Sequence, residues 1–344
     1  MPNRRLLIVT QAVDPKDSAL GFFCEWIQTI ASDPRVQTVE IWCLREGEWS
    51  EKPANVVVRV FPAKGRVWSF LGRLVTNRFD AVFVHMSPIW VALGGWWWRL
   101  TGQRVVLWYT HGSASRELRI ALAFVNEVLT ATPDAFPIRS AKVRAIGHGV
   151  SPRFFAARCD EQDDSSDSRD LDIISVGRIS PRKRVRETLA LFSEILKRRP
   201  GSHFAWIGET LTDADKEYAV QVAQDVERLN LADRVRFMGA LPFADMSSAY
   251  ASADLLLHLS ATGSLDKVVL EALAAGCPVL STNPATSEAV LSAYWGGPLD
   301  TTAADEAVER ADRGVPMAQR LDVTRRFSLA TLVTRILDTC FNRP

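Results

Sequence analysis

The chain has 344 residues, of which 47% are hydrophobic and 24% charged. This length predicts two domains of roughly 150 residues each, and the apolar fraction excludes disordered, collagen-like and coiled-coil proteins. The formal net charge is only +1, but residues 1–155 carry +7 and residues 156–344 carry −6. A basic half favours an anionic partner, such as a phosphate or an acidic membrane surface. An ordinary fluctuation of surface charge is the alternative.

The cysteines and the apolar segments indicate the compartment. The five cysteines show no CxxC spacing and four lie in apolar surroundings, which is typical of reduced core residues in the cytoplasm. The apolar stretch at the N-terminus is too short for a signal peptide, and no uncharged apolar run is long enough to span a membrane. We therefore expect a cytoplasmic protein.

Short apolar runs rich in β-branched residues recur through residues 1–155, separated by segments with helical spacing. They lie at 6–10, 39–44, 56–61, 81–86, 104–111, 127–132 and 142–149. Continuous rather than alternating apolar runs are typical of parallel strands that are buried on both faces. Residues 1–155 are therefore predicted to form an open α/β sheet domain.

A segment rich in Asp and Ser, residues 156–170, predicts a solvated acidic linker. The strand pattern then starts again, at 171–177, 203–208, 234–239, 255–260 and 278–282. This predicts a second open α/β domain over residues 171–320, which faces the first across a hinge.

Ligands of open α/β sheets bind at the carboxyl ends of the strands. Three of the five histidines, His85, His111 and His148, fall at predicted strand ends. His203 begins a strand and His258 lies within one, so both are predicted to be structural.

The segment SVGRISPRKRVRETLALF begins at residue 175 and reads as a strand, a basic loop and an amphipathic helix. Arg178 and Lys183 can converge on one anion beside the helix N-terminus, and a diphosphate suits that pair. A solvated basic loop is the alternative.

The segment LSATGSLDKVVLEALAAGCPVLST (259–282) reads as a strand, a loop of small residues, a helix over about 265–275 and another strand. Glu271 lies among apolar residues of that helix, so its carboxylate needs donors, which two ribose hydroxyls can supply. A salt bridge to Arg178 or Lys183 is the alternative.

Three motifs in succession, VGRISPRK, FMGALPFADMSSAYASADLLLHLS and TGSLDKVVLEALAAGCPVLSTN, resemble the donor domain of glycosyltransferase family 4, which comprises retaining enzymes of the GT-B fold. The segments HMSP, WYTHGSASREL and TATPDAFPIRSAKVRAIGHGV resemble that family's acceptor domain less specifically. The resemblance implies two Rossmann-like domains with a nucleotide sugar in the cleft between them, no metal, and a C-terminal helix over 321–344 that crosses back to the first domain.

The resemblance also assigns residues. Arg178 and Lys183 would bind the diphosphate and, with His111 near the donor sugar, form the catalytic set. Glu271 would bind the ribose. The donor-binding residues implied in full are Gly177, Arg178, Lys183, Gly208, Ala240, Leu241, Gly263, Ser264, Leu265, Asp266, Lys267 and Glu271.

One position departs from the family pattern. The first glutamate of the family's glutamate-x7-glutamate motif, which contacts the sugar, is replaced by Gly263. Asp266 or Lys267 could supply a substitute contact. The alternative for Asp266 is favourable electrostatics at a helix N-terminus.

Departure of a nucleoside diphosphate builds negative charge on its β-phosphate, where Arg178 and Lys183 would stabilise the transition state. In the front-face route implied by the resemblance, the leaving phosphate takes the acceptor proton and the configuration is retained. An inverting enzyme would need a base, for which Asp14, Asp17 and His85 are available. The acceptor-side candidates are Asp14, Gly21, His85 and His148.

Trp96, Trp97 and Trp98 stand beside Arg99, and three consecutive side chains of a helix cannot all face one core. Tryptophan with arginine is typical of a membrane interface, whereas core packing with one exposed ring is the alternative. With the basic half, this predicts peripheral contact with the inner leaflet and a lipid-linked saccharide acceptor in cell-surface polysaccharide synthesis. No nucleic-acid partner is expected.

Two other functions remain open. One is a nucleotide-sugar epimerase of the UDP-N-acetylglucosamine 2-epimerase type, which requires further cleft carboxylates that the sequence does not reveal. The other is a sugar-nucleotide-binding protein that has lost catalysis, which Gly263 makes conceivable. A DxD metal site is not expected, because the DLD at 170–172 opens a strand.

Overall fold

The computed structural model describes residues 4–156, 169–261 and 264–342. It divides the chain into two compact units: unit 1 comprises Met1–Gly149 and Leu329–Pro344, and unit 2 comprises Val150–Ser328. The division after Gly149 differs from the boundary at 155 that the sequence suggested. The predicted linker at 156–170 lies almost wholly outside the described residues.

Unit 1 is built on a parallel sheet. Its strands are β1 (Arg4–Val9), β2 (Ala12–Val13), β3 (Val36–Cys43), β4 (Arg45–Glu46), β5 (Val56–Val60), β6 (Ala81–His85), β7 (Arg104–Trp108), β8 (Glu127–Thr130) and β9 (Val143–Ala145). Among the described residues, seven of these strands pair in the order β5-β3-β1-β6-β7-β8-β9, and β2 pairs separately with β4. The helices between them are α1 (Gly21–Ala31), α2 (Arg66–Thr76), α3 (Pro88–Leu100) and α4 (Arg116–Phe124).

The continuous apolar runs are explained by helices on both faces of the sheet. In β1, Leu6 and Ile8 join one core cluster, while Leu7 and Val9 join another. The first cluster includes α1, and the second includes α2, α3 and α4. Every residue of β6 is buried. A strand covered on both faces cannot alternate apolar with polar residues, so the sequence pattern correctly indicated a parallel sheet.

Unit 2 repeats this plan with a smaller sheet. Its strands are β10 (Asp172–Val176), β11 (His203–Ile207), β12 (Val235–Gly239), β13 (Leu255–His258) and β14 (Val279–Ser281). They pair in parallel in the order β12-β11-β10-β13-β14. The helices are α5 (Pro152–Ala156), α6 (Val185–Leu196), α7 (Asp213–Arg228), α8 (Met246–Ser252), α9 (Lys267–Ala274), α10 (Pro284–Ala289), α11 (Thr301–Arg313) and α12 (Met317–Arg326). The last helix of the chain is α13 (Leu329–Phe341).

Each sheet reverses its strand order at one place, between β1 and β6 in unit 1 and between β10 and β13 in unit 2. The loops that leave the carboxyl ends of such neighbouring strands run to opposite faces, which opens a crevice where ligands of doubly wound folds bind. In unit 2 this crevice lies between the loop after Val176 and the loop after His258.

The C-terminal helix expected over 321–344 is divided into two helices, α12 and α13, and the residues from Leu329 onward belong to unit 1, to which that helix was expected to return. In α12, Arg320 is buried and donates to the carbonyls of Phe155 and Ala274, so this helix is anchored in unit 2. In α13, Leu332 and Ile336 join the core cluster of unit 1 that contains α1. The helix is interrupted because its two parts pack on different units.

Gly208, just after β11, is expected to be intolerant of a side chain. Its φ is 138°, and a Cβ there would lie 2.1 Å from the carbonyl oxygen of Gly177. We expect Gly208→Ala to lower the free energy of unfolding by about 1–3 kcal/mol, because the backbone must move or remain strained. Urea unfolding measures this change.

Gly72, in the interior of α2, provides the matched control. A Cβ at this position meets nothing within 4 Å, so Gly72→Ala should stabilise the protein by up to about 1 kcal/mol through helix propensity. If both substitutions changed the free energy of unfolding equally, the short distance between Gly208 and the carbonyl oxygen of Gly177 would not prevent a side chain at position 208.

Candidate functional site

The two loops that flank the crevice of unit 2 are joined by an ion pair. Lys183 ends the short 3-10 turn Pro181–Lys183, and its Nζ lies 2.7 Å from Oδ2 of Asp266, just before α9. The backbone N–H of Ala261 also donates to the carbonyl of Arg182 at 3.0 Å. The structure therefore brings together the two motifs that the sequence singled out.

Asp266 is held from its other side by His258, at the end of β13. Nε2 of His258 lies 2.8 Å from Oδ2 of Asp266, and Nδ1 lies 2.9 Å from Oγ of Ser281. The carboxylate only accepts, so Nε2 carries the proton and donates it. Ser281 pairs with His258 across strands β13 and β14 and contacts Thr286 at 3.0 Å. A chain of polar groups thus runs from the buried Thr286, Ser281 and His258 to the half-buried Asp266 and Lys183.

This chain settles the charge state of Asp266. Burial alone would raise the pKa of its carboxyl group, but the hydrogen bond and charge of His258, with the charge of Lys183, hold the pKa far below its usual range. Asp266 is therefore ionised near neutral pH and balances the charge of Lys183.

His258 has a position that the sequence analysis missed. It was interpreted as a structural strand residue, and it is indeed 3% exposed. It nevertheless contacts Asp266, which in turn contacts the cation predicted to bind a diphosphate. The signal that could have indicated this role is the position of His258 at the carboxyl end of its strand, where ligands of open α/β sheets bind.

Gly177 makes room for Lys183. A Cβ on Gly177 would lie 3.1 Å from Cε of Lys183, and the φ of Gly177 is 146°. Nε1 of Trp206 donates to the carbonyl of Gly177 at 2.7 Å, and Gly208 follows the same strand as Trp206. Close approach of backbone and lysine stem therefore explains the glycine here.

Arg178 has different surroundings from Lys183. Its side chain is exposed and forms no hydrogen bond with the described residues. Its charge is one of the influences that lower the pKa of Asp215, after the hydrogen bond from the backbone of Thr212. One cation of the predicted pair is thus exposed to solvent, and the other is fixed by a carboxylate.

Glu271 is 5% exposed and has protein donors. Its Oε1 lies 2.8 Å from Nζ of Lys267, and the hydroxyl of Tyr250 donates to Oε2 at 3.4 Å. The alternative of a salt bridge to Arg178 or Lys183 is wrong, since Lys267 takes that place. Burial and the charge of Glu271 raise the pKa of Tyr250 well above its usual value, so the phenol remains a donor.

The remaining donor-side candidates surround this region. Ala240 and Leu241 follow β12 and are half-buried. Leu265 is 3% exposed, and the carbonyl of Ser264 accepts from Nδ2 of Asn283 at 2.7 Å. Helix α9 begins at Lys267, two residues later than the sequence suggested. Gly263 lies outside the described residues.

His111 and the acceptor-side candidates belong to unit 1. His111 is exposed, and its Nδ1 accepts from the backbone N–H of Ser113 at 3.1 Å. In the neutral ring the proton is therefore on Nε2, which can donate to a ligand. His148 is half-buried in the turn before Gly149.

Asp14 and Asp17 are both engaged by Arg45. Asp14 contacts Arg45 at 3.0 Å, and Asp17 also contacts it and accepts from the backbone N–H groups of Ala19 and Leu20. Burial raises the pKa of Asp17, but these hydrogen bonds and Arg45 outweigh it and lower the pKa. The backbone N–H of Gly21 donates to the carbonyl of Asp17 at 2.9 Å, so Asp17 fixes the start of α1.

His85 is buried at the end of β6. Its ring stacks on Phe23 with 4.0 Å between ring centroids, and among the described residues its Nδ1 has no hydrogen-bond partner. Burial lowers the pKa of His85 to about 3. A base of such low pKa removes a proton inefficiently near pH 7.

Comparison with protein families and curated proteins shows what this chain is similar to. Residues 159–313 match the family described as glycosyl transferases group 1. The D-inositol 3-phosphate glycosyltransferase of Segniliparus rotundus is 33% identical over 106 residues, which cover 31% of this chain and 23% of that protein. The sulfoquinovosyl transferase SQD2 of Arabidopsis thaliana is 25% identical over 220 residues, 61% of this chain and 40% of that protein. The chain thus matches less than half the length of these curated relatives.

Comparison with solved structures confirms the fold class. The structure of Anabaena Alr3699/HepE in complex with UDP and glucose has a TM-score of 0.72 at 16% identity, over 98% of this chain and 99% of that one. The predicted GT-B class, with two open parallel α/β sheets, is therefore correct.

The ion pair of Asp266 makes stability depend on pH. We expect Asp266→Asn to lower the free energy of unfolding at pH 7 by roughly 1–3 kcal/mol, because a charge-assisted contact is lost. The pKa of Asp266 is lower in the folded than in the unfolded protein. Its stabilising contribution is therefore present above the unfolded value of 3.8 and is lost as the pH falls below it.

Urea unfolding at several pH values measures this contribution. The difference between wild type and Asp266→Asn should be constant from neutral pH down to about pH 5 and should shrink below about pH 4. Asp213→Asn is the control, because Asp213 is 94% exposed in its pair with Lys216 and should change stability by less than about 0.5 kcal/mol. If the stability difference between wild type and Asp266→Asn grew as the pH fell, Asp266 could not be the stabilising carboxylate of lowered pKa that we describe.

Proposed function

We propose that this chain, whose residues 159–313 belong to the group 1 glycosyltransferases, transfers a sugar from a nucleoside diphosphate sugar to a hydroxyl group of an acceptor. The observation that carries the proposal is the position of Lys183, held by Asp266 where the sheet of unit 2 reverses its strand order. The UDP and glucose of the HepE complex support the same class of donor.

The diphosphate is bound by Arg178 and Lys183. Arg178 is exposed at the start of the loop and can turn to a phosphate, since no described residue holds its guanidinium. Lys183 has three N–H donors, and its contacts with Asp266 and Ser260 still leave one for an incoming oxygen. The base lies against the backbone of Ala240 and Leu241.

Glu271 binds the ribose. The carboxylate has two protein donors, Lys267 and Tyr250, and in the proposed complex it also accepts from the ribose hydroxyls. Lys267 is itself positioned by Phe243, with its Nζ 4.7 Å from the ring centroid. The two donors fix the direction of the carboxylate before the ribose arrives.

The reaction proceeds with retention and without a metal ion. The bond from the anomeric carbon to the β-phosphate oxygen breaks, and Arg178 and Lys183 stabilise the negative charge that develops. The acceptor oxygen forms its bond to the anomeric carbon on the same face, and its proton passes to the leaving phosphate. His111 donates from Nε2 to a hydroxyl of the donor sugar.

The surroundings of the possible bases in unit 1 support this route over inversion. An inverting enzyme needs a base matched to the working pH. Asp14 and Asp17 are engaged by Arg45, and burial keeps the pKa of His85 near 3. The epimerase alternative requires further acid and base carboxylates, and Asp266 and Glu271 in the crevice of unit 2 are both ion-paired.

The acceptor is a lipid-linked saccharide used in cell-surface polysaccharide synthesis, and the enzyme meets it on the cytoplasmic face of a membrane. The charge of +7 on residues 1–155 and the 47% exposure of Trp96 support this part of the proposal. In the part of the chain that the structure describes, no helix is long and apolar enough to cross a membrane.

Donor binding tests the proposal. Thermal shift with UDP, GDP, ADP and their sugars should identify one stabilising nucleotide, and Arg178→Ala and Lys183→Ala should each weaken its binding about tenfold or more, because each removes a charge-assisted contact. Arg182→Ala, an exposed cation in the same loop, is the control and should bind as the wild type does. Unchanged affinity in both site variants would refute the assignment, and binding without turnover would favour a degenerate binding protein.

Turnover tests the mechanism. We expect the same rate with and without EDTA, because the two side-chain cations carry the phosphate charge, and NMR should show the anomeric configuration of the donor in the product. Loss of activity in EDTA that Mg²⁺ restores would contradict the metal-independent route. An inverted product would point to a protein base in unit 1.

A further inference from the structure

We infer that the outer face of helices α2, α3 and α4 in unit 1 docks on an anionic membrane surface. This inference deepens the proposed function, because it rests on the proposal that the acceptor is lipid-linked. The outer face is defined by the exposed apolar side chains of these helices and the cations beside them. The apolar members are Val67, Trp68, Val75, Ile89, Trp96, Leu100 and Ile120.

Helix α3 is apolar on two opposite sides. Its inner side supplies Trp90, Val91 and Trp98 to the core of unit 1, and Trp98 is fully buried. Its outer side carries the exposed Ile89, Trp96 and Leu100, which lie on one face at helical spacing. Leu100 is 73% exposed and Trp96 is 47% exposed. Leu93 lies in line with them but is half-buried and packs against the core, so the unused apolar side consists of the other three residues.

The neighbouring helices extend the same surface. Trp68 and Val75 on α2 are 79% and 54% exposed, and Ile120 on α4 is 50% exposed. The helices lie close together because α3 has glycines where it meets them. A Cβ on Gly94 would lie 2.7 Å from the ring of Phe70 in α2, and one on Gly95 would lie 2.7 Å from Cβ of Phe124 in α4. Exposed apolar groups from all three helices thus form one region.

The cations of this region are not neutralised. They are Lys64, Arg66, Arg73, Arg78, Arg99, Arg116 and Arg119. None of them pairs with a carboxylate of the described residues, and the three helices contain a single acidic residue, Glu117. In unit 2, by contrast, several helix arginines are paired, as Arg186 of α6 is with Asp225 and Arg310 of α11 is with Glu306.

This combination of groups favours a lipid surface over a second copy of the chain. A symmetric dimer formed through this face would bring its unpaired cations together, and like charges at an interface are costly. A membrane with anionic headgroups matches the cations instead. Exposed tryptophans suit the boundary between headgroups and acyl chains, where the ring is apolar and its N–H stays hydrated.

Vesicle flotation of the full chain tests the inference. The wild type should float with vesicles of phosphatidylcholine and phosphatidylglycerol. With vesicles of phosphatidylcholine alone it should stay in the bottom fraction of the gradient. The variant Trp68→Ser/Trp96→Ser/Leu100→Ser should bind at least tenfold more weakly, because it loses buried apolar area. The variant Arg66→Gln/Arg99→Gln should lose about fivefold for each arginine removed.

Matched controls come from unit 2. Val220 and Leu291 are 60% and 73% exposed, so Val220→Ser/Leu291→Ser removes comparable apolar groups from elsewhere. Arg236 and Arg325 are exposed and form no ion pair with the described residues, so Arg236→Gln/Arg325→Gln removes the same charge. Both controls should float as the wild type does.

Three results would overturn the inference. They are equal flotation of the surface variants and the wild type, vesicle binding that does not depend on phosphatidylglycerol, and a wild-type dimer that the apolar variant converts to a monomer in the absence of lipid.

A measurement of nucleotide binding keeps this test separate from the test of the proposed function. The surface variants should bind the donor nucleotide as the wild type does, which also shows that they fold. Flotation without any donor binding by the wild type would refute the proposed function and leave the membrane surface standing.

Discussion

The carboxylate of Asp266 is the group that joins the two sides of the crevice in unit 2. A buried negative charge is costly unless it is paired and hydrogen-bonded. Asp266 meets this requirement with Lys183 from one loop and His258 from the end of β13. Each partner is fixed in turn, Lys183 by its path past Gly177 and His258 by Ser281. Satisfying this one charge therefore ties Lys183 to Asp266 and His258 at the reversal of strand order.

This arrangement also bears on the missing family glutamate at Gly263. Asp266 and Lys267 were the residues considered as replacements for its contact with the donor sugar. Asp266 is bound by two cationic or protonated partners, and Lys267 contacts both Glu271 and Phe243. Their contacts are those of residues that position Lys183 and Glu271.

The sequence predicted the sheets well, because strands covered on both faces must be continuously apolar and the resulting runs are easy to recognise. It predicted Lys183 and Glu271 as site residues because a cation in a strand-end loop and a carboxylate on an apolar helix are unusual in themselves. It could not predict their partners. His258 and Tyr250 look like ordinary buried residues until the fold places them beside Asp266 and Glu271. The break between α12 and α13 was missed because no Gly or Pro marks it, and the cause is packing of the two helices on different units.

The structure shows where the positive charges of residues 1–155 lie. Several cations of unit 1 are neutralised within it: Arg35 pairs with Asp33, Arg45 with Asp14 and Asp17, and Arg104 with Glu127. Seven cations that pair with no carboxylate among the described residues lie on or beside α2, α3 and α4, near the exposed Trp68 and Leu100. Salt screens the attraction of such exposed cations, whereas burial of a tryptophan is much less sensitive to salt. The two contributions are separable, and a surface that has both can be attracted to a membrane by its charge and retained there by its apolar groups.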